Sequence, residues 1–384
     1  TSAKPTMKSL KDLFNHLFGS SPVSGQPPQT APSVEPPSAS SARPQPAPAA
    51  PSATDGEAPV WPRGKLIAGL YEIRDVLGRG GMGLVYRAHD HATHWPVALK
   101  VPLDRWELDP DGRPRLVRFV NSPQAKQALL TEVRAWMALA HPHLVQVFDV
   151  HDDETTDYQP VICMEFCDGG SLAARIRNAN GLSLAEGLDA AIQVCWAMEH
   201  VHQRGLLHRD LKSSNVLLAK EDNGSGWKAL VTDLGLAKAL GARRLEDAGQ
   251  PADAQEAAWW VTVSAAGGTP THMPPEQWEA GGRVGPASDV YAFGVLLYEV
   301  FCRRLPFEGG RSPALWKRAH EQAAVPDPRE WNRQVPEALS RLMRQCLAKE
   351  TAARPQDFGQ LAKRLAEVYR QVTGQRHQAV RPRP

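Results

Sequence analysis

No window of this 384-residue chain offers the roughly 18 consecutive uncharged apolar residues that a membrane-spanning helix needs. The best run, "YAFGVLLYEVFC" from Tyr291 to Cys302, is too short and carries Glu299, so it predicts a buried core helix. The N-terminus lacks a continuous apolar stretch, and no secretory signal is expected. Cysteine is sparse: five residues, at 163, 167, 195, 302 and 346, with no Cys-x-x-Cys and no Cys/His pairs at zinc spacing. Such a set argues against a disulfide framework or a zinc module, and fits small buried hydrophobes in a cytoplasmic protein. Excess charge is also missing. With 44 Lys and Arg against 42 Asp and Glu, the net charge of +2 gives no electrostatic reason to expect nucleic acid as a partner.

One stretch lacks almost every aromatic and large aliphatic side chain. Residues 19–62 are rich in Pro, Ser, Ala and Gln, cannot offset ordering entropy by burial, and are expected to form a disordered linker. Their Pro-x-Pro steps leave two readings, a spacer or a ligand for an aromatic groove. Residues 1–18 place Leu10, Leu13, Phe14, Leu17 and Phe18 on one helical face. That predicts a short amphipathic segment which either docks, on a partner, the globular part or a membrane surface, or stays frayed. Partner docking through residues 1–62 is therefore an expectation beside the plainer one of a tether.

What is present reads as a globular protein, with 42% apolar and 22% charged residues. From Leu66 onward, "YEIRDVLGRGGMGLVYRAHD" predicts two strands about a glycine turn and "WPVALKV" a third. "QALLTEVRAWMALA" predicts an amphipathic helix, and "HLVQVFDV" and "PVICMEF" two further strands. After "CDGGSL" the pattern turns helical: 184–203, 288–302, 336–347 and 358–373. A strand-rich block followed by a larger helical one predicts an α+β protein of two lobes joined at residues 165–170. The lobes are expected over 66–166 and 167–370, with a basic tail at 371–384.

Glycines at 78, 80 and 83 have the spacing that lets a backbone close around phosphate, which alone is a weak signal. A dinucleotide fingerprint requires the glycines to open a helix, but "LVYRA" continues as a strand. A Walker loop requires Gly-Lys-Ser/Thr next, and none follows. A hairpin lid able to lie over phosphates remains.

Far along the chain, several motifs join that lid in a fixed order. "VALK" places Lys100 on the third strand. "HRDLKSSN" supplies His208, Arg209, Asp210, Lys212 and Asn215, and "DLG" supplies Asp233 and Gly235. "GGTPTHMPPEQW" carries Thr269 and Glu276, "SDVYAFGV" carries Asp289, and "ARPQDF" carries Arg354. In this order the motifs resemble the eukaryotic-type protein kinases, over about residues 68–370. The "PEQW" ending and the polar flank look most like bacterial members. A lysine at position 212 looks like the serine/threonine branch.

The resemblance implies a bilobal protein kinase fold, ATP and Mg²⁺, and phosphoryl transfer to Ser/Thr hydroxyls of protein substrates, with a place in signalling. Lys100 would face the α- and β-phosphates, held by Glu132 on the first helix. Asp210 would be the catalytic base, Lys212 would reach the transferred phosphoryl group, and Asn215 and Asp233 would offer oxygens to the metal. Leu77, Gly78, Arg79, Gly80, Gly81, Met82 and Gly83 would form the lid over ATP. Val85, Ala98, Leu217 and Met164 would enclose the adenine, with the backbone of Glu165 and Cys167 at the base edge. Thr269 would contact base and lysine, Glu276 and Arg354 would pair, and Asp289 would brace the catalytic loop. Arg209 stands where a guanidinium clamps a phosphorylated activation segment, with Thr262 and Ser264 as candidate phosphoacceptors.

Several positions depart from the pattern. Leu234 stands where Phe is usual, Pro274 where Ala is usual, and Trp136 is bulky for its place in the apolar column between the lobes. Polar inserts follow Lys100, precede Asp233, and separate Asp233 from Glu276. Two rival readings are a nucleotide-binding pseudokinase scaffold and a kinase-bearing adaptor that works through its N-terminal segment. The first would be expected to lack Lys100, Asp210 or Asp233, all of which are present.

Overall fold

The computed structural model describes residues 61–80, 83–102, 105–108, 114–117, 123–178, 181–220, 226–234, 269–278, 284–310 and 312–377. The segment expected over 1–18, the linker as far as residue 60, Gly81, Met82, Gly235, Thr262 and Ser264 lie outside these residues. Among the described residues, no helix is long and apolar enough to cross a membrane.

In chain order the first elements are β1 (Leu66–Ile67), β2 (Tyr71–Gly80), β3 (Gly83–Asp90), β4 (Pro96–Val101), β5 (Arg105–Leu108), β6 (Pro114–Val117) and α1 (Pro123–Met137). They are followed by β7 (Val147–His151) and β8 (Val161–Glu165). An antiparallel sheet runs β1-β2-β3-β4-β8-β7, and β5 pairs with β6 as a hairpin inside the insert that the sequence reads as a polar excursion. β4 is internal and buried from Val97 to Lys100, which explains its lack of polar alternation. The two-residue period then sorts its side chains. Val97 and Leu99 join Ile73, Tyr86, Ala88 and Cys163 in one core. Ala98 packs on the other face with Ile162, Met164 and, from α1, Leu129, Val133 and Trp136.

Trp136 fits because the lobe supplies it with a polar partner. It is 1% exposed, and its Nε1–H donates to Val145 O at 3.0 Å. Trp61, which falls in the stretch read as linker, belongs to the small lobe. Its ring stacks on Tyr86, its Nε1–H donates to Asp157 at 3.0 Å, and Lys65 lies over its face. A single large apolar side chain at the end of a polar tract is enough to anchor the chain there.

The larger lobe begins with α2 (Leu172–Arg177) and α3 (Leu184–Gln203), then β9 (Val216–Lys220) and β10 (Trp227–Val231). It continues with α4 (Pro286–Cys302), α5 (Pro313–Gln322), α6 (Glu337–Cys346) and α7 (Phe358–Thr373). α3 starts with a capping box: Ser183 Oγ accepts from Glu186 N, and Glu186 Oε2 accepts from Ser183 N. α4 begins at Pro286, earlier than the sequence pattern suggests, because Pro suits the first helical position. It is the central helix, and between Ser288 and Phe301 only Glu299 is not buried. Gly294 lets it approach α6 closely, since a Cβ there would lie 2.8 Å from Cys346 Cβ. The short α2 and α5 have no counterpart in the sequence reading. His377, in the stretch read as tail, packs against Trp196 and Tyr369 and pairs with Asp189 at 2.6 Å, so that part of the tail belongs to this lobe.

Candidate active site

Lys100 sits at the centre of the sheet, its β4 position opposite Val85 on β3 and Ile162 on β8. Its side chain is 4% exposed, and Nζ pairs with Asp233 Oδ2 at 2.7 Å. A buried ammonium in this setting requires a partner, and Asp233 reaches it from the larger lobe. Glu132 is half-buried on α1, the helix that packs against β7.

The loop 208–215 is shaped from below by α4. Asp289 accepts the backbone N–H of His208 at 2.9 Å and of Arg209 at 2.8 Å, and pairs with His202 at 2.8 Å. Burial alone would raise its pKa, but His202, His208 and the backbone donors outweigh burial and hold the carboxyl below its ordinary value. Arg209 and Asp233 both adopt left-handed backbone, with φ of 66°. Side-chain residues hold that conformation only where surrounding bonds enforce it, and such positions cluster at functional sites.

Asp210, 2% exposed, gathers four donors. Thr269 N and Oγ1 donate to Oδ1 at 2.9 and 2.7 Å; Lys212 Nζ and Asn215 Nδ2 donate to Oδ2 at 2.7 and 3.1 Å. Lys212 also reaches Thr269 Oγ1 at 2.5 Å, and Asn215 Nδ2 reaches Asp210 O at 2.8 Å. With its nitrogen committed to Asp210, the group Asn215 has left for a cation is its oxygen.

Asn215 and Asp233 leave the same end of one hairpin. Val216 pairs with Val231, and Thr232 N donates to Asn215 O at 2.9 Å. Two hard oxygen donors suit a metal that keeps water and phosphate oxygens for its other positions. Among the described residues, no group of three or more His, Cys, Asp and Glu is arranged to hold a metal by itself. The residues present therefore fit Mg²⁺ shared with a phosphate, and not a self-sufficient metal centre.

The four side chains expected around the adenine belong to one apolar cluster. Ala98 pairs in register with Met164; both are buried, while Val85 and Leu217 are half-buried. The N–H of Glu165 is committed to Gln146 O at 2.9 Å, so any pairing by this residue falls to its carbonyl. Cys167 is buried, and burial pushes its thiol up to about 12, which removes it as a nucleophile. The glycine hairpin closes with Gly78 opposite Val85, Arg79 opposite Leu84 and Gly80 opposite Gly83; Leu77 stands exposed beside it. Gly83 has φ of 149°, and a Cβ there would meet Val101 O at 2.5 Å, so only glycine fits.

Glu276 and Arg354 form a buried fork, at 2.7 and 2.8 Å, and Ser288 Oγ adds a bond to Glu276 at 2.7 Å. His272 and Ser213 lie inside the quoted motifs but carry no assigned role there, and Glu299 is read only as part of a core helix, although all three are tied together at this site. The signal was present only as an acidic residue inside an apolar helix.

Residues 71–366 match the family described as protein kinase domain. The chain is 36% identical over 302 residues to the DNA damage-responsive serine/threonine-protein kinase RqkA of Deinococcus radiodurans, covering 78% of this chain and 39% of that protein. It is 29% identical over 289 residues to the serine/threonine-protein kinase PrkC of Bacillus subtilis, covering 75% and 38%. The chain thus spans about two fifths of the length of the curated relatives it matches. A solved structure of the PknI kinase domain of Mycobacterium tuberculosis, a C20A_R136A double mutant, aligns with a TM-score of 0.55. That alignment covers 81% of this chain and 99% of that one at 22% identity, a likeness of fold.

Proposed function

Because the chain belongs to the protein kinase family, resembling its bacterial serine/threonine members, we propose that it transfers the γ-phosphoryl group of ATP to serine and threonine hydroxyls of proteins. The observation that carries this reading is the convergence on Asp210. One carboxylate receives Lys212, Asn215 and Thr269, close to a Lys100–Asp233 pair that joins the two lobes.

Phosphoryl transfer demands little covalent chemistry from a protein, and catalysis is mainly positioning and placement of cations. Lys100 neutralises the α- and β-phosphates from a rigid strand, and Glu132 steadies the helix side of that contact. The lid 77–83 covers the polyphosphate, and Val85, Ala98, Met164 and Leu217 hold the adenine. Asn215 and Asp233 would hold Mg²⁺, which when bound would supply neutralisation of phosphate charge. Asp210 orients the acceptor hydroxyl and takes its proton as the new O–P bond forms and the bond from the γ-phosphorus to the β,γ-bridging oxygen breaks, with ADP as the leaving group. Lys212, fixed between Asp210 and Thr269, sits where it can neutralise the transferred group. Arg209, with Thr262 or Ser264 as acceptor, supports regulation by autophosphorylation of the activation segment. A cytoplasmic, reducing location is consistent with five free cysteines.

The test is Asp210→Asn, which keeps the shape and loses the base. Transfer of labelled phosphate from Mg-ATP to histone should fall by about 10²–10⁴-fold. Nucleotide affinity should stay near wild type. Equal transfer by the variant would refute the assignment, and no transfer by the wild-type chain would favour the pseudokinase scaffold.

A further inference from the structure

Residues 61–68 touch the small lobe at two separate places. At the first, Trp61 stacks on Tyr86 of β3, with centroids 5.5 Å apart and planes at 18°, and its backbone N–H donates to Tyr86 Oη at 2.9 Å. Tyr86 is 1% exposed, and a hydroxyl so deeply buried requires a partner. At the second, the same segment is received by the turn between β7 and β8. Asp157 Oδ2 accepts from Trp61 Nε1 at 3.0 Å and from Lys65 Nζ at 3.1 Å, and Thr155 Oγ1 accepts from Ala68 N at 2.8 Å. That turn holds a demanding shape, with Asp157 and Tyr158 both left-handed at φ of 54° and 58°.

The strands served by these two contacts stand on either side of β4. The sheet order there is β3-β4-β8, so a segment fastened to β3 and to the turn that leads into β8 braces the strand between them. Those three strands carry the side chains expected to face the nucleotide: Val85 on β3, Ala98 and Lys100 on β4, and Met164 on β8. Register makes the relation closer. Tyr86 pairs with Leu99, and the next pair along is Val85 with Lys100. Successive side chains of a strand point to opposite faces, so the row under Trp61 lies back to back with the row that carries Lys100. Trp61, Tyr86 and Leu99 share one core, and Val85, Ala98 and Met164 lie outside it.

Burial of one indole would stabilise the lobe from many places on its surface. Two hydrogen bonds from one residue, one to each side of β4, also fix a separation. A fixed separation holds the strands at one twist, and contacts arranged in advance bind more tightly than contacts that must first be ordered. We propose that Trp61 is a positioning residue for ATP: with Lys65 it makes residues 61–68 a cross-brace that keeps Val85, Lys100 and Met164 in their binding arrangement before the nucleotide arrives. The proposal rests on the nucleotide reading of Lys100 and Val85. It gives residue 61, which composition assigns to a linker, a part in nucleotide affinity.

The experiment uses the full chain, with Mg-ATP as the varied substrate and histone as acceptor. Trp61→Ala should raise KM for Mg-ATP by about three- to tenfold, the worth of an aromatic contact and a hydrogen bond. Its kcat should stay within about twofold of wild type, because loss of a brace weakens ground-state and transition-state contacts alike. Trp61→Phe keeps a ring on Tyr86 and loses the indole N–H, so its KM should fall between the two. Tyr86→Phe conserves volume and deletes only the hydroxyl that Trp61 N–H reaches. It carries the test if Trp61→Ala does not fold, with a rise in KM of about two- to threefold.

A second measurement reads the coupling from the other end. Coupling between two sites is reciprocal, so Mg-ATP tightens the brace by the same factor as the brace tightens Mg-ATP. In wild type, amide hydrogen exchange at Trp61 and Ala68, whose N–H groups bond across the brace, should slow by about three- to tenfold on saturation with Mg-ATP. Tyr86→Phe should lose much of that slowing. A Trp61 that only stabilises the lobe would lower Tm in Trp61→Ala and leave both KM and the effect of Mg-ATP on exchange unmoved; that result would overturn the proposal. So would a fall in kcat at unchanged KM. A wild-type chain that binds no Mg-ATP in calorimetry would instead defeat the nucleotide reading itself, and the proposal with it.

Discussion

Removing Arg354 should be among the most damaging single changes available in the larger lobe. Its side chain is fully enclosed, and all five N–H groups are committed. Nε donates to Ala348 O at 2.7 Å, Nη1 to Glu276 Oε1 at 2.7 Å and Ala287 O at 2.9 Å, and Nη2 to Glu276 Oε2 at 2.8 Å and Lys349 O at 2.9 Å. The guanidinium also lies 4.8 Å from the Tyr291 ring centroid. Arg354→Ala leaves a mostly buried carboxylate beside the Ser288 hydroxyl and takes a donor from three carbonyls. Breaking a buried pair from one side costs about 3–5 kcal/mol. For a domain of this size that lowers Tm by about 5–8 °C.

The pH dependence follows from Glu276. Burial raises its pKa, but Arg354 and Ser288 outweigh burial and the net shift is downward from 4.5. A depressed carboxylate contributes stability above its unfolded value and loses it as pH falls through the folded one. The deficit of Arg354→Ala should therefore be full at neutral pH. It should shrink on acidification, first as the unpaired carboxyl of the variant protonates and then as the wild-type one does. Urea unfolding of both proteins at pH 7.5 and pH 5 measures this directly. A deficit below about 1 kcal/mol, or one that does not change with pH, would refute the reasoning.

Four shorter predictions use the same logic. Lys100→Met removes the cation from a buried Asp233 and should cut phosphate transfer to histone by at least about a hundredfold. Thr269→Val loses both the donor to Asp210 and the acceptor for Lys212, so activity should fall about tenfold or more, while Thr269→Ser keeps most of it. Trp136→Ala should cost about 3–5 kcal/mol in urea unfolding, from the cavity and from the Val145 carbonyl left without its donor. Deleting residues 1–60 should leave transfer and Tm unchanged, whereas a further Trp61→Ala should lower Tm measurably by removing the stack on Tyr86.

The parts legible in the letters were those written within one short stretch. Asp210, Lys212 and Asn215 lie in one loop, so their proximity needs only a local turn. The glycine hairpin announced itself by β-branched residues on both sides, and α3 by a capping box and a long apolar period. Even the partition of β4 into two faces follows from its alternation once the strand is known. By contrast, composition alone assigned Trp61 to a linker and His377 to a tail, because a single anchoring contact leaves no periodic trace.

The sequence by itself determined the two-lobed order of elements and which residue types would face a nucleotide, since hydrophobic period and turn chemistry act over neighbouring positions. Only the tertiary structure decided that Asp233 crosses to Lys100, that Thr269 closes on Asp210, and that Glu299 receives both His272 and Ser213. Those pairings join residues far apart in the chain. They are selected by burial, because a polar group taken out of water binds whichever partner the packing brings within reach, and no local pattern records that partner.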